Sequence, residues 1–94
     1  MDFNHLTGFE WDAGNLKKVS ERVPVEIVEE SFFLNPLVKK DEIHSLLNEQ
    51  RYLLICLDLE RPVFLSFTVR KEKIRVISAR YMHQREVKKY EKAN

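Results

Sequence analysis

"RYLLICLDLERPVFLSFTVRKEKIRVISARY" (Arg51–Tyr81) decides the fold. Its segments RYLLICLDL, PVFLSFTVR and KIRVISARY are dense in Val, Ile, Leu and aromatic residues. Only short polar connections part them, which is the pattern of consecutive antiparallel strands. Lys71-Glu72 offers a tight hairpin between the last two strands. Neither residue favours the positive φ that such a turn uses, so a longer turn stays open. Alternation with period two puts Val63, Leu65, Phe67 and Val69 on one face of the middle strand, and Phe64, Ser66, Thr68 and Arg70 on the other. The same alternation in the last strand groups Ile74, Val76, Ser78 and Arg80 opposite Arg75, Ile77, Ala79 and Tyr81. One face is core; the wetter face presents Ser66, Thr68, Arg70 and one of the last-strand arginines.

Upstream of this block the period changes. WDAGNLKKVSE (11–21) reads as a short helix, with Asp12 placed to cap it, Leu16 and Val19 on one side, and Gly14 weakening it. VPVEIVEESFF (23–33) makes a firmer helix. Pro24 suits its first turn, Glu26 lies near the positive end of its dipole, and Val25, Val28 and Phe32 form its apolar stripe. Asn35-Pro36-Leu37 stops it. LVKK (Leu37–Lys40) is a candidate further strand before the loop DEIHSLLNEQ, and the chain from His83 onward returns to helical spacing. Two helices, then hairpin strands, then a helix predict a single α+β domain over residues 1–94. Its sheet is an antiparallel meander of three to four strands, and residues 1–7 form a loose or edge segment.

The bulk properties agree with a small globular chain. Of 94 residues 44% are hydrophobic, with two Gly and three Pro, which excludes a disordered or collagenous class. The N-terminus lacks a cationic start and an apolar stretch, as a secretory signal would need. The longest strong apolar run, YLLICL (Tyr52–Leu57), is too short to span a bilayer. A lone Cys56 excludes a Cys-based zinc site and suits a reducing compartment, so a cytoplasmic location is expected. The charge is uneven. Residues 1–49 carry ten acidic and five basic residues (net −5), residues 50–94 eleven basic and five acidic (net +6). Either the second half meets an anionic partner, or the two halves neutralise each other.

No glycine loop, nucleophile elbow or paired histidines at metal spacing occur, and His5, His44 and His83 lie far apart, so no metal or cofactor is expected. The cations are better organised. Arg80 closes the last strand, and Arg85, Lys88, Lys89 and Lys92 recur as one stripe on the final helix, with Val87 and Tyr90 as its expected anchors to the sheet. Such a stripe is either a solvated face or an anion-facing one. Arginine forks match phosphate oxygens and stay protonated, and RNA carries its own nucleophile in the 2′-hydroxyl. Cations that stabilise the developing charge, with a nearby His, Glu or Lys to move protons, suffice for cleavage without a metal.

FEWDAGNLKK (Phe9–Lys18), VPVEIVEESFFLNP, the loop DEIHSLLNEQRYLLI, and above all IRVISARYMHQRE (Ile74–Glu86) stand in an order that resembles the BrnT family of ribonuclease toxins. The resemblance covers roughly residues 8–91. It implies a RelE-like fold, inhibition of translation by RNA cleavage, and a BrnA-like cognate antitoxin. That antitoxin would be dimeric and DNA-binding, would repress the shared operon, and would bridge two toxin copies into a heterotetramer. Carried onto this chain, it implies Lys18, His44, Glu49, Arg51, Arg70 and Arg80 as catalytic residues. Arg75, His83, Arg85, Lys88, Lys89 and Lys92 are the expected RNA-binding residues, and Arg85 and Tyr90 also match the family. VSER (Val19–Arg22) stands where the family usually has His-Gly directly after the lysine; it lengthens the connection and removes a candidate acid/base histidine, which bears on catalytic strength more than on fold. A catalytically weak relative acting in binding and regulation, and a nucleic-acid-binding domain without chemistry, are the alternatives.

Overall fold

A computed structural model describes residues 6–93. The elements run α1 (Leu16–Ser20), α2 (Val25–Ser31), β1 (Leu37–Lys40), β2 (Arg51–Cys56), β3 (Val63–Arg70), β4 (Lys73–Tyr81) and α3 (Gln84–Ala93). The sheet is an antiparallel meander in the order β1-β2-β3-β4, the expected α+β arrangement with LVKK as its fourth strand. Residues 1–5 of the anticipated loose segment lie outside the described residues. From Thr7 the chain runs along the outer edge of β4, where Ile74 N–H donates to Gly8 C=O and Glu10 N–H to Ile74 C=O, both at 2.8 Å.

The β3–β4 hairpin is the tight one. Lys71 and Glu72 both take positive φ, 49° and 64°, the signature of a type I′ turn. That conformation costs L-residues about 1–2 kcal/mol each, and the paired strands beside it over-determine the turn. Register past the hairpin is set by a bulge. Thr68 opposes Arg75 and Phe67 opposes Val76, but Ser66 opposes Ser78, so Ile77 is an extra residue. The uniform alternation expected for the last strand therefore fails at this point. Ile74 and Val76 face the core before the bulge, Ala79 after it. Ser78 and Arg80 are thrown onto the face that already holds Arg75, and both arginines, not one, belong to the wetter side.

The core lies between the helices and the opposite sheet face. Val19, Val23, Val28 and Phe32 pack on Leu54, Cys56, Val63, Leu65, Phe67, Ile74, Val76 and Ala79. Phe32 meets Phe67 edge-on at 5.0 Å and Phe9 at 5.3 Å, and Tyr52 stacks on Phe67 at 5.3 Å. Cys56 is buried there, and desolvation pushes its thiol pKa up, so it packs as a small hydrophobe.

Three local expectations are corrected. Helix α1 starts at Leu16 with Asn15 as its N-cap, not Asp12, because the Asp12 carboxylate is taken by Gly14 N–H and by Arg75. Leu16 is exposed, and the inward position falls to buried Asn15 instead. Val87 and Tyr90 do not join the core cluster; α3 is seated at its first turn by an ion pair, described below. Pro24 sits one residue before the first turn of α2, and Asn35, at φ 52°, ends that helix region before Pro36 as expected.

Candidate active site

Three parts of the chain converge on the wetter face of the sheet: α1, the β1–β2 loop, and the facing side chains of β2, β3 and β4. The core-facing pattern of α1 is set by Val19, fully buried, and by Asn15. Asn15 Nδ2 donates to Val76 C=O at 3.0 Å and to Glu10 C=O at 3.1 Å, while its Oδ1 accepts Asp12 N–H at 2.9 Å. These bonds pin the start of α1 beside the bulge and leave Lys18, one turn on, exposed at the edge of the sheet face. The position after Lys18 is core, so no acid/base group comes from there.

Two adjoining cavities open on this face. One, of about 420 Å³, is lined by Lys18, Asp41, Ile43, His44, Arg51 and, from the sheet, Phe64, Ser66 and Ser78 among others. The second, of about 200 Å³, is lined by Lys18, Glu49, Arg51, Thr68, Arg70 and Arg75 among others. Lys18, Arg51 and the bulged Ile77 border both, so the two form one continuous trough. A larger hollow of about 600 Å³ lies between the β2–β3 connection and α3, but it holds none of the catalytic candidates.

The β1–β2 loop holds a carboxylate–imidazole pair. His44 Nδ1 lies 2.8 Å from Asp41 Oδ2, and Asp41 Oδ1 accepts the backbone N–H groups of Ile43 and His44 at 3.2 Å. Desolvation raises the Asp41 pKa, but the His44 ring and these N–H bonds outweigh it, and the carboxyl is held below its usual value. A carboxylate on Nδ1 fixes that nitrogen as the donor, leaving Nε2 as the nitrogen with a free lone pair.

The arginines of the trough are counterbalanced by carboxylates. Glu49 Oε1 accepts from Arg51 Nε at 3.3 Å and Oε2 from Arg70 Nη2 at 3.2 Å. The hydrogen bond from Arg70 is the main reason the Glu49 pKa is lowered. Arg75 is gripped harder, by Asp12 through both nitrogens at 2.8 and 3.1 Å and by Glu10 at 2.9 Å. Gly14 makes room for this fork, since a Cβ there would stand 3.0 Å from Arg75 Nη2. Ser66 and Ser78 share a hydroxyl–hydroxyl hydrogen bond of 2.7 Å in the trough floor, and Thr68 Oγ1 donates to Gln50 C=O.

The structure thus brings Lys18, His44, Glu49, Arg51 and Arg70 together and adds Arg75 at the far wall. Arg80 borders neither cavity, although Phe64, which it covers, lines the first. Its guanidinium lies 4.8 Å over the Phe64 ring and makes a two-pronged bond to Glu86, at 2.8 and 2.9 Å. Glu86 Oε1 also accepts His83 N–H at 3.0 Å, reaching back to cap α3. These bonds, from Arg80 first, hold the Glu86 pKa down at about 2. His83, Arg85, Lys88, Lys89 and Lys92 are exposed, away from both trough cavities. His83 caps α3 through its backbone, not its ring. The sequence reading missed Asp41, Asn15 and the Ser66–Ser78 pair. Asp41 stands three residues before His44, the spacing of a loop that folds back on its own carboxylate, and that signal was available.

Among the described residues, no group of three or more His, Cys, Asp and Glu side chains could hold a metal ion. No described helix is long and apolar enough to cross a membrane. A family profile described as ribonuclease toxin, BrnT, of type II toxin–antitoxin system, matches residues 11–86. The chain belongs to the BrnT family. The matched span takes in every element from α1 to the start of α3, and with it the whole trough and the Arg80–Glu86 pair. No curated protein and no solved structure matches the chain. Membership gives the BrnT chain a type II antitoxin as its cognate partner and ribonuclease as its class of activity.

Proposed function

We propose that the trough is the active site of a metal-independent endoribonuclease that inhibits translation until the antitoxin covers it. The observation that carries this reading is the Asp41–His44 pair set against Lys18, Arg51 and Arg70. His44 Nε2 takes the proton of a 2′-hydroxyl, whose oxygen attacks the adjacent phosphorus. The new P–O2′ bond forms as the P–O5′ bond breaks, and the arginines and Lys18 hold the charge gathering on the phosphoryl oxygens. Lys18, which borders both cavities, is the group placed to protonate the departing 5′ oxygen. The products are a 2′,3′-cyclic phosphate and a free 5′-hydroxyl. Glu49 keeps Arg51 and Arg70 aligned, Arg75 braces the wall, and Arg80 clamps α3, whose cationic stripe guides the RNA backbone.

The test is cleavage of RNA by the purified chain with a chelator present. Cleavage persists, and Arg70→Ala lowers the rate by about 10²–10³, the usual cost of one preorganised donor to transition-state charge. Activity that vanishes with chelator and returns with magnesium refutes the mechanism, and an Arg70→Ala chain at wild-type rate misplaces the site. Buried Val19, in the place of the family histidine, favours one competing reading, an RNA-binding relative without chemistry. Binding without cleavage by the wild-type chain would establish it.

A further inference from the structure

The β1–β2 loop turns its acid–base pair toward the trough and a very different surface outward. Ile43 is 86% exposed, Leu46 58% and Leu47 fully so. One solvated leucine is ordinary, but three aliphatic side chains clustered within five residues mark an interaction surface. The loop is also stiffly held. Asp41 N–H donates to Arg51 C=O and Leu46 N–H to Glu49 C=O, both at 2.8 Å. Ser45 Oγ donates to Asp41 C=O at 2.7 Å and accepts Arg51 N–H at 2.9 Å. Presenting apolar groups on a pre-ordered platform lowers the entropic cost of burying them.

RNA is a poor occupant for this prong. Ile43, Leu46 and Leu47 offer neither charge for the phosphates nor a ring for the bases to stack on. A protein is a good one. Ile43 borders the trough beside Lys18, His44 and Arg51, so whatever buries the prong lies across the trough mouth, against cations that favour carboxylates. We propose that Ile43, Leu46 and Leu47 are the apolar anchor for the antitoxin, which meets them with the aliphatic face of an acidic, amphipathic segment and sets its carboxylates on Lys18 and Arg51. The location rests on the trough being the active site; the existence of the partner rests on the family.

The experiment uses the full chain carrying Leu47→Asp, and Leu46→Asp with Leu47→Asp, titrated with the antitoxin encoded beside it. Both side chains are solvated, so unfolding temperatures should stay near wild type; Leu47→Ser repeats the test if they do not. A hot-spot side chain corresponds to about a 30-fold loss of affinity, so we expect roughly that loss for Leu47→Asp and a larger one for the pair. Free variants cleave RNA as wild type does, and antitoxin no longer silences them at equimolar concentration. Unchanged antitoxin affinity with intact cleavage overturns the docking surface and leaves the nuclease reading standing. Lost affinity in a chain whose wild type never cleaves RNA does the reverse. Slower cleavage by the free variants assigns the prong to the RNA path and overturns the proposal. A wild-type homodimer that Leu47→Asp dissociates, with antitoxin affinity kept, assigns it to a second copy and also overturns it.

Discussion

Asp41→Asn exchanges one carboxylate oxygen for an amide nitrogen and leaves the shape of the β1–β2 loop alone. The amide oxygen can still accept the Ile43 and His44 N–H groups that Oδ1 accepts at 3.2 Å. At the Oδ2 position, 2.8 Å from His44 Nδ1, an NH₂ donor now stands. Nδ1 must then accept, the proton moves to Nε2, and the ring is locked in the tautomer that cannot take a proton from a 2′-hydroxyl. General base catalysis contributes about 10²–10⁴ in rate, so the variant should lose cleavage in that range. His44→Ala should lose about as much, and the double variant little more, because the two residues act as a unit. Asp41 stays ionised through the working range, its carboxyl being held below the ordinary value, so a pH change cannot imitate the substitution. The assay is single-turnover cleavage across pH, with RNA binding measured separately. Rate should fall while binding holds, in Asp41→Asn and in His44→Ala alike. An Asp41→Asn chain that cleaves at the wild-type rate, or that loses binding in proportion to rate, refutes the dyad.

Acid should unseat α3. The Glu86 pKa is depressed to about 2, so the stability from its pairing with Arg80 is complete above the ordinary carboxylate range and is lost as pH falls toward that value. Comparing the acid unfolding of wild type with Glu86→Gln checks this: the gap between them should close at low pH, and a gap independent of pH would count against the pairing. Replacing Lys71-Glu72 by Asn-Gly should relieve the positive-φ cost at a turn where both residues adopt it. A gain of about 1 kcal/mol corresponds to a melting temperature higher by roughly 4–8 °C for a domain of this size. An unchanged or lower melting temperature would mean that the turn carries no such strain.

The sheet was legible because its strands declare themselves by composition and its connections are short. Antiparallel meander order follows almost directly from three β-rich segments in series. The bulge was not legible. Nothing in IRVISARY marks Ile77 as the extra residue, because Ile74 and Val76 fall in one parity and Ile77 and Ala79 in the other, and either gives a plausible core face. The choice is made by partners distant in sequence: Asn15 Nδ2 taking Val76 C=O, and Ser66 meeting Ser78. Asn15, at the N-cap position that the sequence suggested for Asp12, is a buried tie. On the site, the family resemblance named Lys18, His44, Glu49, Arg51 and Arg70, which border the trough, and Arg80, which does not. Arg80 differs because its partner, Glu86, lies only six residues on, and the Ala79–Arg80–Tyr81 strand end carries the guanidinium toward the helix that follows.

The uneven charge of the two halves can be followed to individual pairs. Glu10, Asp12 and Glu49 from the acidic half hold Arg75, Arg51 and Arg70 from the basic half, so the internal complementarity expected as one alternative is present. It does not exclude an anionic partner, because the pairs differ in how readily they can be exchanged. Arg75, only 15% exposed, is held by two carboxylates through three short bonds, and a phosphate would have to break all of them. Arg70 is half exposed and keeps one contact of 3.2 Å, the kind of solvated pair that contributes little to stability and costs little to replace. Lys18 makes no ion pair among the described residues. Lys18 and Arg51, which border the cavity of the Asp41–His44 pair, and Arg70, which shares Glu49 with Arg51, are therefore the cations least committed to carboxylates, whereas Arg75 and Arg80 are committed to holding α1 and α3 in place. On the function proposed above, a phosphodiester in the trough would find Lys18 without an ion pair, draw Arg70 and Arg51 from Glu49 with small loss, and leave the two clamps closed. On that reading, the difference in commitment lets one small, nearly neutral chain be self-complementary and still exchange some of its pairs for a phosphodiester.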